Sequence, residues 1–274
     1  MSAAMLAQTD QSSALRVQNL EGGVRVLTLA ASETRNALSL DMLHALSHAL
    51  AEAEGAETVR VLVIAADGPA FSSGHDLKEL TARRGDVDYG RAFFEQTFAA
   101  CSRTMQSVVA LSKPVIAAVE GLATAAGCQL VATCDLAVAG AEARFCTPGV
   151  SIGLFCSTPM VALARNVAPK PAMEMLLTGE PVNAAEAHRI GLVNRVVEAG
   201  SALEEAAALA RKIAGRSAHT IALGKRAFYE SFGRPLGDAY DRASRVMVEN
   251  MLAEDAAEGI GAFVAKRAPV WRDR

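Results

Sequence analysis

Two runs of small residues follow apolar, β-branched segments and open into helix-like sequence, and these are where the chain could do chemistry. One is Ala70-Phe71-Ser72-Ser73-Gly74-His75-Asp76-Leu77-Lys78-Glu79-Leu80; the other is Glu120-Gly121-Leu122-Ala123-Thr124-Ala125-Ala126-Gly127-Cys128-Gln129-Leu130. Open α/β sheets place ligands at such strand-to-helix junctions. A helix start carries backbone N–H groups without intrahelical partners and a partial positive charge, and Ala-Ala-Gly lets a ligand oxygen approach them closely. Two such starts aimed at one point would form an oxyanion hole. The same small residues would also let helices pack tightly, so spacing alone leaves both readings open. Neither run has the GxGxxG order or a Walker lysine, and no nucleotide-phosphate fingerprint is present.

Other reactive residue types are less well placed. His44 and His48 lie at i and i+4 of a helical pattern, but no third ligand is spaced to complete a metal site, so they are expected at the surface and no metal is expected. Asp76 and Asp135 read as caps or loop anchors. Cys156 and Ser157 read as pocket lining, because a nucleophile needs a nearby base and none is assigned.

The elements that must position the two loops follow from periodicity. Leu15 to Leu29 reads as a hairpin turning at Glu21-Gly22-Gly23. Ser39 caps a helix with Leu43, Leu46 and Leu50 on one face, closed by Gly55. Val59–Ala66 is a strand buried on both faces. The pattern then repeats: a helix near Arg91–Ser112, a strand at Val115–Val119, a helix at Ala125–Thr133 and a strand at Leu136–Ala139. Helices near Pro159–Val167 and Pro171–Leu177 precede a last strand-like piece, Leu192–Val197. From Ala202 on, only helices are expected. This gives an α/β core over residues 15–200, a helical region over 201–274, and a disordered tail over 1–14.

Composition bounds the function. At 51% apolar and 21% charged residues the 274-residue chain is an ordinary globular sequence. With 27 Lys+Arg against 30 Asp+Glu there is no basic excess to attract nucleic acid. No window resembles a membrane span, and residues 1–14 match neither a signal nor a transit peptide. The five cysteines, at 101, 128, 134, 146 and 156, lack zinc-type spacing and read as buried reduced thiols. Together these features lead to the expectation of a cytoplasmic protein.

The ordered set Ala70-Phe71-x-x-Gly74-x-Asp76-Leu77, Gly121-x-Ala123-x-x-x-Gly127-Cys128, Cys134-Asp135 and Phe145-x-Thr147-Pro148-x-x-x-x-Gly153 resembles the crotonase, or enoyl-CoA hydratase/isomerase, superfamily. The resemblance runs from about Arg16 to Lys266-Arg267. It implies a spiral of ββα units with a C-terminal helical trimerisation region, and homotrimers or hexamers built as dimers of trimers. It implies an acyl-CoA thioester as ligand, with coenzyme A part of the substrate and no separate cofactor. By position the thioester oxygen would lie between the backbone N–H groups of His75 and Ala126. Arg35, Ala37, Ser73, Gly74, His75, Asp76, Leu77 and Ala126 would line the groove, with Phe263 and Lys266 reaching the nucleotide end across a subunit boundary.

The sequence departs from this family where hydration chemistry would sit. Hydratases of the superfamily carry glutamates at the positions occupied here by Gln129 and Gly149. Adding water across a double bond needs a base and an acid; an amide orients water without taking its proton, and glycine does neither. The resemblance therefore implies an enolate-stabilising hole without the hydratase pair, and restoring both glutamates is expected to raise hydration. The Gly-His-Asp stretch is also similar to methylmalonyl-CoA decarboxylases of the superfamily, where His75 would deliver a proton. A catalytically weak acyl-CoA binder is the third reading.

Overall fold

The computed structural model describes residues 14–274. The tail expectation falls almost wholly on residues 1–13, outside the described residues. In chain order the elements are β1 (Leu15–Leu20), β2 (Val24–Leu29), α1 (Leu40–Gly55), β3 (Val61–Ala66), β4 (Ala70–Ser72), α2 (Leu77–Ala82), α3 (Arg91–Ala110), β5 (Val115–Val119), β6 (Leu122–Thr124), α4 (Ala126–Thr133), β7 (Leu136–Gly140) and β8 (Arg144–Cys146). There follow α5 (Ser157–Asn166), α6 (Pro169–Thr178), β9 (Val182–Asn183), α7 (Ala184–Arg189), β10 (Arg195–Val197), α8 (Ala202–Ala214), α9 (Ala218–Ser231), α10 (Leu236–Met251) and α11 (Glu254–Val264).

Two sheets organise the core. The larger has order β1-β2-β3-β5-β7-β10, antiparallel only in the opening hairpin, and the smaller has order β4-β6-β8-β9. Three times a strand of the large sheet is followed directly by one of the small sheet: β3 by β4, β5 by β6, β7 by β8. Each ββ pair then runs on into helix, which makes the expected spiral of ββα units.

Strand periodicity explains the layers. Val61, Val63 and Ala65 face one side with Val24, Val26 and Ile116, and meet the alanine stripe Ala202, Ala206 and Ala210 of α8. Leu62 and Ile64 face the other side, into a core with Leu43, Leu46 and Leu50 of α1. A strand with apolar residues at every position is therefore covered on both faces. Burying each large aliphatic side chain contributes roughly 1.5–3 kcal/mol. Ser39 caps α1 as read, its hydroxyl accepting from Met42 N–H.

The small sheet was not legible in the sequence. Its strands are two or three residues long, too short to show alternation, and two of them lie inside the runs read as loops. The last strand is also shorter than expected, at Arg195–Val197, because Leu192 and Val193 donate back to Ala187 O and finish α7 instead. After β10 only helices follow, α8 to α11.

Lys225 of α9 joins the helical region to the core. Its ammonium donates to Asp135 Oδ2 at 2.7 Å and to the carbonyls of Val108 and Lys113 at 3.0 Å. Asp135 also accepts from Val115 N–H at 2.7 Å and from the Tyr229 hydroxyl at 2.9 Å. Asp135 is thus an anchor, as read.

Candidate active site

The two small-residue runs touch. Gly74 has φ +82, and a Cβ there would lie 2.8 Å from Ala125 Cβ and 3.1 Å from Ala126 N. Gly127 is equally confined, since a Cβ would fall 2.5 Å from Ser72 O. Both positions require glycine for the loops to meet.

Segment 35–38 holds the first loop. Ser73 N–H donates to Arg35 O at 2.9 Å, Leu38 N–H to Gly74 O at 2.7 Å, and the Ser72 hydroxyl to Asn36 O at 2.8 Å. Asn36, buried and left-handed at φ 53, donates its amide to the carbonyls of Asp67 and Ala70. Sequence reasoning missed Asn36, although an asparagine in a polar loop is the residue type that tolerates this conformation. Asp76 caps α2, its Oδ1 accepting from Lys78 and Glu79 N–H.

Ala125 precedes α4 at φ 49 and ψ −118, an outlying conformation for a residue with a Cβ, and donates its N–H to Cys146 O at 3.0 Å. No side chain caps α4. Among the described residues neither Ala126 N–H nor His75 N–H has an acceptor within the chain. Two uncommitted amides on touching loops, one at a helix N-terminus, suit a ligand oxygen that gains negative charge.

The His75 ring is fixed. Nδ1 lies 3.3 Å from Leu38 O, so Nδ1 carries the proton, and the ring meets Phe98 of α3 edge-on with centroids 5.2 Å apart. Nε2 is buried without a partner, and burial pushes the imidazole pKa below its ordinary value of 6.5. A neutral ring contributes stability that is full above pH 6.5 and is lost as pH falls toward the lowered folded value. Denaturation of the wild type should therefore show a stability loss below pH 6.5 that His75→Gln, with its backbone N–H retained, does not share. Parallel profiles would refute the buried neutral ring.

Gln129 is nearly buried one turn beyond Ala126, with Cys101 Sγ of α3 4.0 Å from its Oε1. Burial pushes the Cys101 thiol up to about 12, so it stays protonated. Gly149 is buried and donates its N–H to Cys156 Sγ at 3.3 Å. Its φ lies outside the left-handed region; the obstruction is steric, since a Cβ would lie 2.8 Å from Leu154 O and 3.0 Å from Cys156 Sγ. Thr97, one residue before Phe98, is a further buried residue that the sequence did not single out, and its hydroxyl lacks a partner.

The remaining candidates divide. Arg35 and Leu77 are exposed, Ser73 and Asp76 half-buried, and Ala37 buried. Phe263 and Lys266 are exposed at the end of α11, and among the described residues no hydrogen bond or ion pair joins either to the loops at 75 and 126. Ser157 donates only to Phe155 O. His44 and His48 are exposed, and no group of metal-ligating side chains occurs among the described residues. All five cysteines are buried and free.

A spiral of ββα units with a helical C-terminal third, its loops meeting at a helix start, is the crotonase fold. The family model described as enoyl-CoA hydratase/isomerase matches residues 19–274, and the chain belongs to that family. It is 50% identical over 252 residues to the rat protein named enoyl-CoA hydratase domain-containing protein 3, mitochondrial, covering 92% of this chain and 82% of that one. The crystal structure of human enoyl-CoA hydratase domain-containing protein 3 superposes with TM-score 0.89 at 47% identity, covering 94% of this chain and all of that one. An enoyl-CoA hydratase structure from Mycobacterium smegmatis gives TM-score 0.89 at 46% identity, covering 94% and 99%. The cytoplasmic expectation does not stand, because the rat, human and Xenopus laevis relatives are all named mitochondrial. The reasoning failed because composition and thiol usage do not report an address.

Proposed function

We propose that the protein binds an acyl-CoA thioester with its carbonyl oxygen between His75 N–H and Ala126 N–H, and stabilises the derived enolate there. The observation that supports this reading is that Gly74 and Gly127 let the two loops carrying these uncommitted amides pack against each other. Removing one such donor typically costs ~10²–10³-fold in rate. Arg35, Ala37, Ser73, Gly74, Asp76 and Leu77 form the groove for the coenzyme A moiety. Phe263 and Lys266 serve the site of a neighbouring copy, in a trimer or a dimer of trimers. Exposed Phe232, Leu236, Tyr240, Val248 and Leu252 in α9 to α10 support that assembly, since apolar surface of this extent marks an interface.

With an amide at 129 and no side chain at 149, ordinary hydration lacks both proton carriers. Decarboxylation of a malonyl-type thioester is the second reading: the carboxylate leaves as CO₂, its bond electrons pass into the thioester enolate, and Cα then takes a proton. The missing carboxylates favour it, because the first step needs the hole and no base. His75 is neutral with its only ring proton on Leu38 O, so the proton for Cα comes from solvent in this scheme and not from an imidazolium.

A panel of enoyl-, malonyl- and methylmalonyl-CoA esters tests these readings by turnover and thermal shift. A thioester at a hundredfold excess over Kd should add about 2.7 kcal/mol, which is a Tm rise of about 5–10 °C for a chain of this size. Free CoA should shift it less. Absence of any shift across the panel would dismiss the binding assignment, and binding without turnover would leave a binder.

A further inference from the structure

We propose that Arg165 binds a second carboxylate at the far end of the acyl group, which makes the ligand a medium-chain dicarboxylyl thioester; the inference rests on the thioester reading of the hole. The cavity between α3, α4, α5 and α9 has a volume of about 770 Å³, and its wall is not apolar throughout. Gln129, Thr158 and Arg165 line it beside Met105, Val109 and Phe228. Among the described residues, Gln129 Nε2, the Thr158 hydroxyl and the Nε–Nη2 edge of Arg165 have no partner. Gln129 is only 5% exposed, so bulk water does not readily serve its amide. The wall thus holds donors that an occupant bearing acceptor oxygens would satisfy. Asp135 lines the cavity too, but its carboxylate is already taken by Lys225 and Tyr229 and does not compete for Arg165.

The geometry of Arg165 selects a carboxylate among such occupants. Arg165 lies in the last turn of α5, where its Nη1 donates to Val161 O at 2.7 Å, one turn back. That bond fixes the guanidinium and leaves the Nε–Nη2 edge, a pair of parallel N–H groups that matches the two oxygens of a carboxylate. Among the described residues Arg165 has no ion-pair partner. Its place in the cavity sets the length of the acyl group. Neighbouring Asn166 donates to Ala132 O at 2.7 Å, so the last turn of α5 lies level with Ala132. Ala132 stands about 9 Å along α4 from Ala126, whose N–H would hold the thioester oxygen. A malonyl group is too short for that span, and a suberyl group covers it.

The test is the dissociation constant of suberyl-CoA and of octanoyl-CoA, which differ only in the terminal carboxylate, for the full chain, Arg165→Met and Arg165→Lys. Suberyl-CoA is expected to bind about tenfold tighter than octanoyl-CoA to the wild type, the gain of hydrogen bonds to a charged group. Arg165→Met is expected to erase that preference by weakening suberyl-CoA alone. Arg165→Lys is expected to keep part of it, because an ammonium retains the charge without the fork. Added salt should shrink the wild-type preference, since Arg165 is exposed. Octanoyl-CoA binding as tightly as suberyl-CoA, or tighter, would overturn the proposal and leave the thioester reading standing. A suberyl preference that Arg165→Met does not touch would overturn it by placing the carboxylate elsewhere, and equal weakening of both esters would overturn it by reducing Arg165 to packing. If neither ester binds the wild type, the thioester reading falls and the proposal with it.

Discussion

Crotonyl-CoA should be hydrated at least ~10⁴-fold more slowly by this protein than by a relative with carboxylates at both corresponding positions, because each positioned proton carrier is worth about 10²–10⁴-fold. The two carriers are absent for different physical reasons. Gln129 is an isosteric amide in a buried position, its Oε1 4.0 Å from the Cys101 thiol, which burial keeps protonated. Gly149 has no room at all, with Leu154 O and Cys156 on the path of a Cβ. The rescue suggested by the sequence, Gln129→Glu with Gly149→Glu, is therefore expected to fail through misfolding of the 148–156 segment, and Gln129→Glu alone to leave hydration negligible. Loss of enoyl absorbance measures the reaction. A wild type as fast as ordinary hydratases would refute the reading of both positions and make His75 the first place to look for a base.

Lys225→Met should cost about 3–5 kcal/mol, the usual penalty for stranding one member of a buried ion pair. Lys225 and Asp135 expose only 7% and 15% of their side chains, so solvent cannot substitute for the missing ammonium. Asp135 would keep Val115 N–H and the Tyr229 hydroxyl but lose its counter-charge, and the carbonyls of Val108 and Lys113 would lose their donor. At 2–4 °C per kcal/mol this is a Tm drop of about 10 °C. Removing both charges, as Lys225→Met with Asp135→Leu, should cost less than Lys225→Met alone, since no charge is then left uncompensated. Denaturant unfolding of the two variants decides the matter. A single variant within 1 kcal/mol (~) of wild type would mean that water already reaches the pair.

How much of this was legible in the sequence depended on the range of the interaction. Ser39 and Asp76 cap their helices through residues two or three positions on, so local pattern revealed them. Val59–Ala66 read as a doubly covered strand from its β-branched apolar run, and Val61–Ala66 forms it. The small sheet could not be read, since Ala70 pairs with Leu122 and Arg144 with Leu122 across long stretches of chain, in strands too short for a period. His75 and Ala126 were singled out through an ordered motif, whereas the meeting of their loops depends on Gly74 packing against Ala125. The closed space at Gly149 was also hidden, because Leu154 and Cys156 close it only after the segment folds back. Phe98 and Thr97 look like any other residues of an amphipathic helix until α3 is laid beside His75.

The order in which this molecule assembles follows from the alternation of its strands between two sheets. Strands of two or three residues have no stability of their own, and three of the four in the small sheet, β4, β6 and β8, are each delivered by the large-sheet strand that precedes them. Contacts between residues so distant in sequence form only after the loop entropy between them has been spent. Ala70 and Leu122 can therefore meet only when β3 and β5 already lie side by side, and the amides of His75 and Ala126 converge later still. By the same hierarchy, amides of the small sheet and of the loops at 74–76 and 125–127 are expected to exchange before those of the large sheet. The proposed thioester site therefore belongs to the last-formed part of the fold, and thioester binding is expected to be lost under mild denaturant before the large sheet unfolds.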